Sequence, residues 1–195
     1  PDVRRELKAI LQPQVLLGLG TTVLGAGAMF TLYTYVAPVL TELTGASNTF
    51  IAMSLALIGI GFTFGNGIGG RMADWSLDGA TRILLAALAM LMFVLPLAFM
   101  SHATAAVGVL LFGAATFAIV PPLQIRVMQA ASEAPGLASS INVGAFNLGN
   151  AVGAALGGAV ISSGLGYAAI PVAGGLLAAT GLLLAWLGRP RTAVA

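Results

Sequence analysis

An all-α membrane protein of six transmembrane helices is the fold class this sequence predicts, and three observations predict it. The chain of 195 residues is 58% hydrophobic and only 7% charged, whereas soluble domains carry roughly a quarter charged residues because their surfaces must be wet. Its mean hydropathy is +1.00, and its apolar residues gather into six uncharged runs, each near the ~20 residues that a helix needs to cross a hydrocarbon layer. Finally, the eight Lys and Arg residues all fall in alternate connections between those runs or at the chain ends, and so on one side of a membrane. The runs are continuously apolar rather than alternating, which selects helices over barrel strands, because every backbone amide in lipid must be satisfied within the protein.

The elements follow in order. Residues 1–12 are polar and amphipathic, and Pro13 can start a helix. Residues 15–40 and 48–70 carry no charge and form spans one and two, separated by Glu42 and the turn residues Gly45, Ser47 and Asn48. Between Arg82 and Arg126 the turn at 101–104, which holds His102, divides the chain into span three at 83–100 and span four at 103–125. After Glu133 the Ser- and Gly-rich break at 162–166 separates spans five and six. Pro135 and Pro171 can start helices, while Pro96 and the pair Pro121–Pro122 should kink or end spans three and four.

Arg4, Arg5 and Lys8 precede span one, Arg71 and Arg82 lie between two and three, Arg126 lies between four and five, and Arg189 and Arg191 follow six. All stand on one side of the membrane, which the positive-inside rule makes the cytoplasm. Both termini are then cytoplasmic in a multi-pass protein. A chain that opens Pro1-Asp2-Val3-Arg4-Arg5 also reads as a piece of a longer polypeptide.

Several function classes fall away. Scattered basic residues make no nucleic-acid footprint. Without Cys there is no thiol nucleophile and no Cys-based metal site. The lone His102 sits in an external turn, and no HExxH, GxSxG or phosphate-binding loop occurs. An enzyme, a cofactor and a resident metal are therefore not expected.

Two patterns remain. Gly61, Gly65 and Gly69 in span two, and Ala145, Gly149, Gly153 and Gly157 in span five, recur every four residues and line one side of each helix. Each smooth face can serve packing within the bundle or an interface with something else. Within the spans, Tyr33, Thr34, Tyr35, Asn66, Gln124, Asn142, Asn147 and Asn150 can line a solute cavity or bond between helices, since polar groups in hydrocarbon need partners. No Asp, Glu or Lys lies deep in a span.

Gly69-Gly70-Arg71-Met72-Ala73-Asp74, followed by Asp78 and Arg82, resembles the loop motif Gly-x-x-x-Asp-Arg-x-Gly-Arg-Arg of the major facilitator superfamily, with Trp75 in place of Arg and Leu77 in place of Gly. Residues 131–150 are similar to the tenth-to-eleventh helix region of its bacterial arabinose-efflux-permease-like, drug-efflux-type members. The resemblance covers nearly the whole chain. It implies one half of that fold, a 3+3 inverted repeat holding helices seven to twelve at 13–188, with the end of the interdomain linker at 1–12 and a cytoplasmic tail at 189–195. It further implies a missing N-terminal half as partner, membrane lipid as surroundings, and efflux of sugars or drug-like small molecules in the bacterial inner membrane by proton antiport.

Since the family places its second, fifth, eighth and eleventh helices between halves, it directs Gly61, Gly65, Gly149, Gly153 and Gly157 to that interface. It also makes Asp74 the carboxylate of a cytoplasmic gate with Arg126, Arg71 being the competing partner. The rival reading is a stand-alone six-span scaffold or channel subunit that dimerises through its glycine faces.

Overall fold

The computed structural model describes residues 3–188, so Arg189 and Arg191 lie outside the described residues. Within them the chain is all-helical: α1 (Val3–Ile10), α2 (Pro13–Tyr33), α3 (Val36–Thr44), α4 (Asn48–Trp75), α5 (Leu77–Ala98), α6 (His102–Ala118), α7 (Val120–Ala130), α8 (Pro135–Ser162) and α9 (Ala169–Leu187). Six helical stretches are long and apolar enough to cross a membrane, counting α6 and α7 as one. The protein is thus a multi-pass membrane protein.

Local chemistry sets the boundaries. Ser47, Ser76 and Ser101 cap α4, α5 and α6, each hydroxyl accepting the N–H of Phe50, Gly79 or Thr104, donors that the first turn would otherwise leave unsatisfied. Pro13 and Pro135 open α2 and α8, where a missing N–H costs nothing. Gly45, Gly164 and Gly166 take left-handed backbone at the turns that end α3 and α8.

Spans one and four are each broken. The first interrupts its helix at Thr34–Tyr35 and resumes at Val36. Pro38 lies four residues after Thr34, where its ring crowds the Thr34 carbonyl and its missing N–H removes a rung. The fourth breaks at Ile119, just ahead of Pro121 and Pro122. Pro96, by contrast, is absorbed inside α5 near its end. Span three starts at Leu77, six residues before the charge-free run, because the Ser76 cap restarts the helix there and carries Arg82 into it.

The helices pack as two interleaved repeats. α4 runs along α6, α8 along α2, and α5 and α9 lie against each other behind them, α9 also against α2 and α5 against α6. Exchanging the first three spans for the last three returns the same pairings. α7 and α2 occupy the middle, while α4 and α8 flank them without packing on each other and are the least buried spans.

The glycine faces are spent inside this bundle, which corrects the expectation that they form an interface between halves. A Cβ at Gly61, Gly65 or Gly69 would strike backbone of α6 at Leu110, Ala114 and Ala118. At Gly149, Gly153 and Gly157 it would strike Val23, Gly27, Thr31 and the Tyr35 ring. The small residues serve close helix approach, but the helices approached belong to the same chain. A dimer through these faces loses its surface for the same reason.

A candidate solute cavity and a charge cluster at the basic end

The face left between α4 and α8 is built by α2, α6 and α7. A cavity of about 230 Å³ opens there, lined by Thr22, Phe117, Val120, Leu123, Gln124, Asn142, Val143 and Phe146. Its polar atoms form one chain across three helices. Thr22 donates to Asn142 Oδ1 at 2.7 Å, Asn142 Nδ2 donates to Gln124 Oε1 at 2.6 Å, and Gln124 Nε2 donates to Ser139 Oγ at 2.7 Å. An unpaired amide in an apolar setting costs about 1–3 kcal/mol, so each residue here needs the next. The second N–H of each amide is left, the Gln124 one meeting only the Met128 sulfur at 3.6 Å. These are the donors a bound molecule can take.

A row of half-buried aromatic rings continues from the cavity. Phe62 of α4 stacks on Phe117 of α6 at 4.1 Å and lies 5.9 Å from Tyr33 of α2, while Phe30 meets Phe146 of α8 edge-on at 6.1 Å. The row therefore reaches from one flanking helix to the other across the middle pair. Rings so placed offer apolar area with little conformational entropy to lose.

The sequence-derived residues divide accordingly. Gln124 and Asn142 line the cavity, and Tyr33 joins the aromatic row. Asn66 and Asn147 are exposed, one turn beyond Phe62 and Val143 on the same stripes of α4 and α8. Asn150 Oδ1 is buried without a partner among the described residues. Tyr35 turns elsewhere: its hydroxyl donates to the Ala154 carbonyl at 2.7 Å and its ring covers Gly157. Thr22, Ser139, Phe30, Phe62, Phe117 and Phe146 were not legible, because a Thr, a Ser or a Phe within an apolar run carries no signal of its facing.

The charge cluster forms on a different acid from the one expected. Arg126 Nη1 lies 3.0 Å from Asp78 Oδ1, not on Asp74, and Arg126 Nη2 donates at 3.0 Å to the carbonyls of Ala185 and Gly188. Among the described residues no basic group pairs with Asp74, which ends α4 exposed beside Arg71. The reason is the Ser76 cap. It starts a new helix whose first turn carries Asp78, where an acid gains from the helix dipole, and points that turn at α7. Arg126 thus ties the start of α5 to the carbonyls that end α9, beside a cavity of about 470 Å³ that includes Gln14, Ser76 and Gln129. Arg5 and Glu133 pair at 3.0 Å at this same basic end. At the opposite end Thr44 donates to the Phe99 carbonyl at 2.7 Å and His102 packs on Phe50, with no Lys or Arg in the connections.

No protein-family model matches the chain. Among curated proteins it is 54% identical over 187 residues to the inner membrane transport protein YdhP of Escherichia coli (strain K12), a match covering 96% of this chain and 48% of that protein. It is 33% identical over 186 residues to the uncharacterized MFS-type transporter YtbD of Bacillus subtilis (strain 168), covering 93% of this chain and 47% of that one. With the chloramphenicol resistance protein of Streptomyces lividans it shares 32% identity over 189 residues, or 95% of this chain and 47% of that protein. The chain spans about half the length of the curated relatives it matches.

Proposed function

Since this chain belongs to the major facilitator superfamily, as one half of its fold, we propose that it is the C-terminal six-helix half of an efflux permease for small molecules. Two such halves enclose a midplane site and rock about it to give alternating access. The observation that carries the reading is the uncharged cavity, with its Thr22–Asn142–Gln124 chain and aromatic row, on the face that the bundle leaves uncovered. A relative named for chloramphenicol resistance supports export.

The lining favours drug-like molecules over sugars. Apolar and aromatic side chains dominate it, and the amides spend most of their hydrogen bonds on one another, whereas a sugar needs many free donors and acceptors around its rim. Proton antiport remains the proposed drive, with the proton carried by the other half, because the acids among the described residues, Glu6, Glu42, Asp74, Asp78 and Glu133, all lie outside the middles of the spans. The basic end faces the cytoplasm by the positive-inside rule.

Export of an amphipathic neutral compound from cells carrying the full-length protein tests the function. Asn142→Leu should abolish it, while Asn66→Leu leaves the protein inserted and stable; undiminished export by Asn142→Leu removes the cavity from the pathway. For the orientation, a cysteine at Ala103 should react with a membrane-impermeant thiol reagent outside intact cells and one at Gly79 should not. The reverse labelling inverts the topology.

A further inference from the structure

At the basic end, the groove between α5 and α9 holds a guanidinium whose donors are unspent. Arg82 lies 4.8 Å over the Trp186 ring. Its nearest carboxylate oxygen belongs to Asp78, 3.9 Å away, and Asp78 is held more closely by Arg126 at 3.0 Å. Two guanidiniums thus share one acid, and the excess positive charge stays with Arg82, since Arg126 also has two carbonyls. No hydrogen bond joins Arg82 to any described residue, and its Nε is buried without a partner. Flanking it, Ile83 and Met90 of α5 and Leu183 and Leu187 of α9 are exposed large apolar side chains, with Trp186 half-exposed.

We propose that this groove is a binding site for an anionic phospholipid, its phosphate on the outer nitrogens of Arg82 and its acyl chain along Ile83, Met90 and Leu183. A planar guanidinium with free donors fits phosphate oxygens two at a time. Trp186 marks the depth, since Trp concentrates where headgroups meet hydrocarbon, and anionic headgroups are drawn to basic groups at that level. A free phosphate would satisfy Arg82 alone, but the apolar ridges on both sides of it call for a tail. The site stands on the helices lying in lipid, and on neither the substrate nor the transport direction proposed above.

Native mass spectrometry of the full-length protein, released from nanodiscs of mixed phosphatidylglycerol and phosphatidylethanolamine, tests it. The protein should retain phosphatidylglycerol selectively. Arg82→Gln should cut that retention about five-fold, the effect of removing one cation near a lipid surface, while Arg71→Gln, at an exposed arginine of the same end, leaves it unchanged. Equal loss in both variants means diffuse charge attraction and overturns the site, as does retention without headgroup preference. Inorganic phosphate at millimolar concentration should displace no phosphatidylglycerol; if it does, the groove is a free-anion site and the lipid proposal falls. Should Arg82→Gln fail to fold, Arg82→Lys and Trp186→Leu carry the test: each should lower retention, and wild-type retention in both overturns the proposal.

Discussion

α4 and α8 are alike in sequence and unlike in how they are seated. Each is 28 residues long, each is among the least buried spans, and each carries glycines at four-residue intervals. The α4 seam against α6 is backbone on backbone at Gly61, Gly65 and Gly69. No side-chain hydrogen bond crosses it among the described residues. The α8 seam against α2 adds polar ties, Thr22 to Asn142 near one end and, in the break just past α2, Tyr35 to Ala154 near the other. Small residues decide how closely two helices approach, and polar residues decide which seam borders a cavity. The first property repeats between the two halves of the chain, and the second does not.

The largest effect should come from the α4 seam. Gly65→Leu places a side chain where Ala114 backbone already lies, an obstruction no rotamer relieves. Overpacking costs about 1–3 kcal/mol and occasionally more, and we expect the upper part of that range, read as a lowered thermal midpoint in detergent and loss of folded protein from the membrane. Gly67→Leu, on the same helix with nothing within 4 Å, should be tolerated. If both behave alike, the seam is not where α4 is held.

The polar ties come next. Asn142→Leu removes the bonds that Asn142 makes to Thr22 and Gln124 and leaves Gln124 Oε1 without a donor, while Thr22 keeps the Gly18 carbonyl and Gln124 keeps Ser139, which should destabilise by about 1–3 kcal/mol. Asn66→Leu, exposed and unbonded on α4, should cost little. Equal midpoints for the two would erase the distinction between the seams. Tyr35→Phe deletes the single bond to Ala154 while keeping the ring over Gly157, so a loss of about 1 kcal/mol is expected. A loss several times larger would mean that the tyrosine sets the break at Thr34–Tyr35 rather than resting on it.

These seams also mark what could be read from sequence. The six spans were legible because charge is expensive in lipid and its absence over 20 residues has one meaning. Glycine spacing fixed the side of the helix but not what lies against it, since a neighbour within the bundle and a partner outside it ask for the same small residues. Gln124 and Asn142 were legible as amides in apolar runs, but their mutual bond, 18 residues apart in sequence, depends on how α7 meets α8. Asp74 fitted a motif, and Asp78 took the arginine because a serine cap between them restarted the helix. That difference is one of helix phase, which a motif does not carry.

The smallest expected effect separates the two helices at their starts. α4 begins on a side-chain cap from Ser47, whereas α8 begins at Ala134 with none. Just ahead of α8, Glu133 holds Arg5 of α1 through two bonds, 3.0 and 3.3 Å long. The hydrogen bond and the charge of Arg5 lower the Glu133 pKa below its ordinary 4.5, and Glu133 in turn raises that of Arg5. A depressed carboxylate contributes its stabilisation above the unfolded pKa and loses it as pH falls through the folded value. The tie should therefore hold at neutral pH, weaken only on acidification past 4.5, and show no loss on the alkaline side below the arginine range. Both side chains are exposed, so salt should screen the pair as well. Spin labels at Glu6 and Ala134 would report it: a narrow distance distribution at pH 7 that broadens in acid or high salt, and a Glu133→Gln variant that is broad throughout. A distribution unchanged from pH 7 to pH 3 would show that α1 is held instead by Ile10 in its small apolar cluster with Val15, Val127, Ala131 and Ala138, and the start of α8 would then owe nothing to the ion pair.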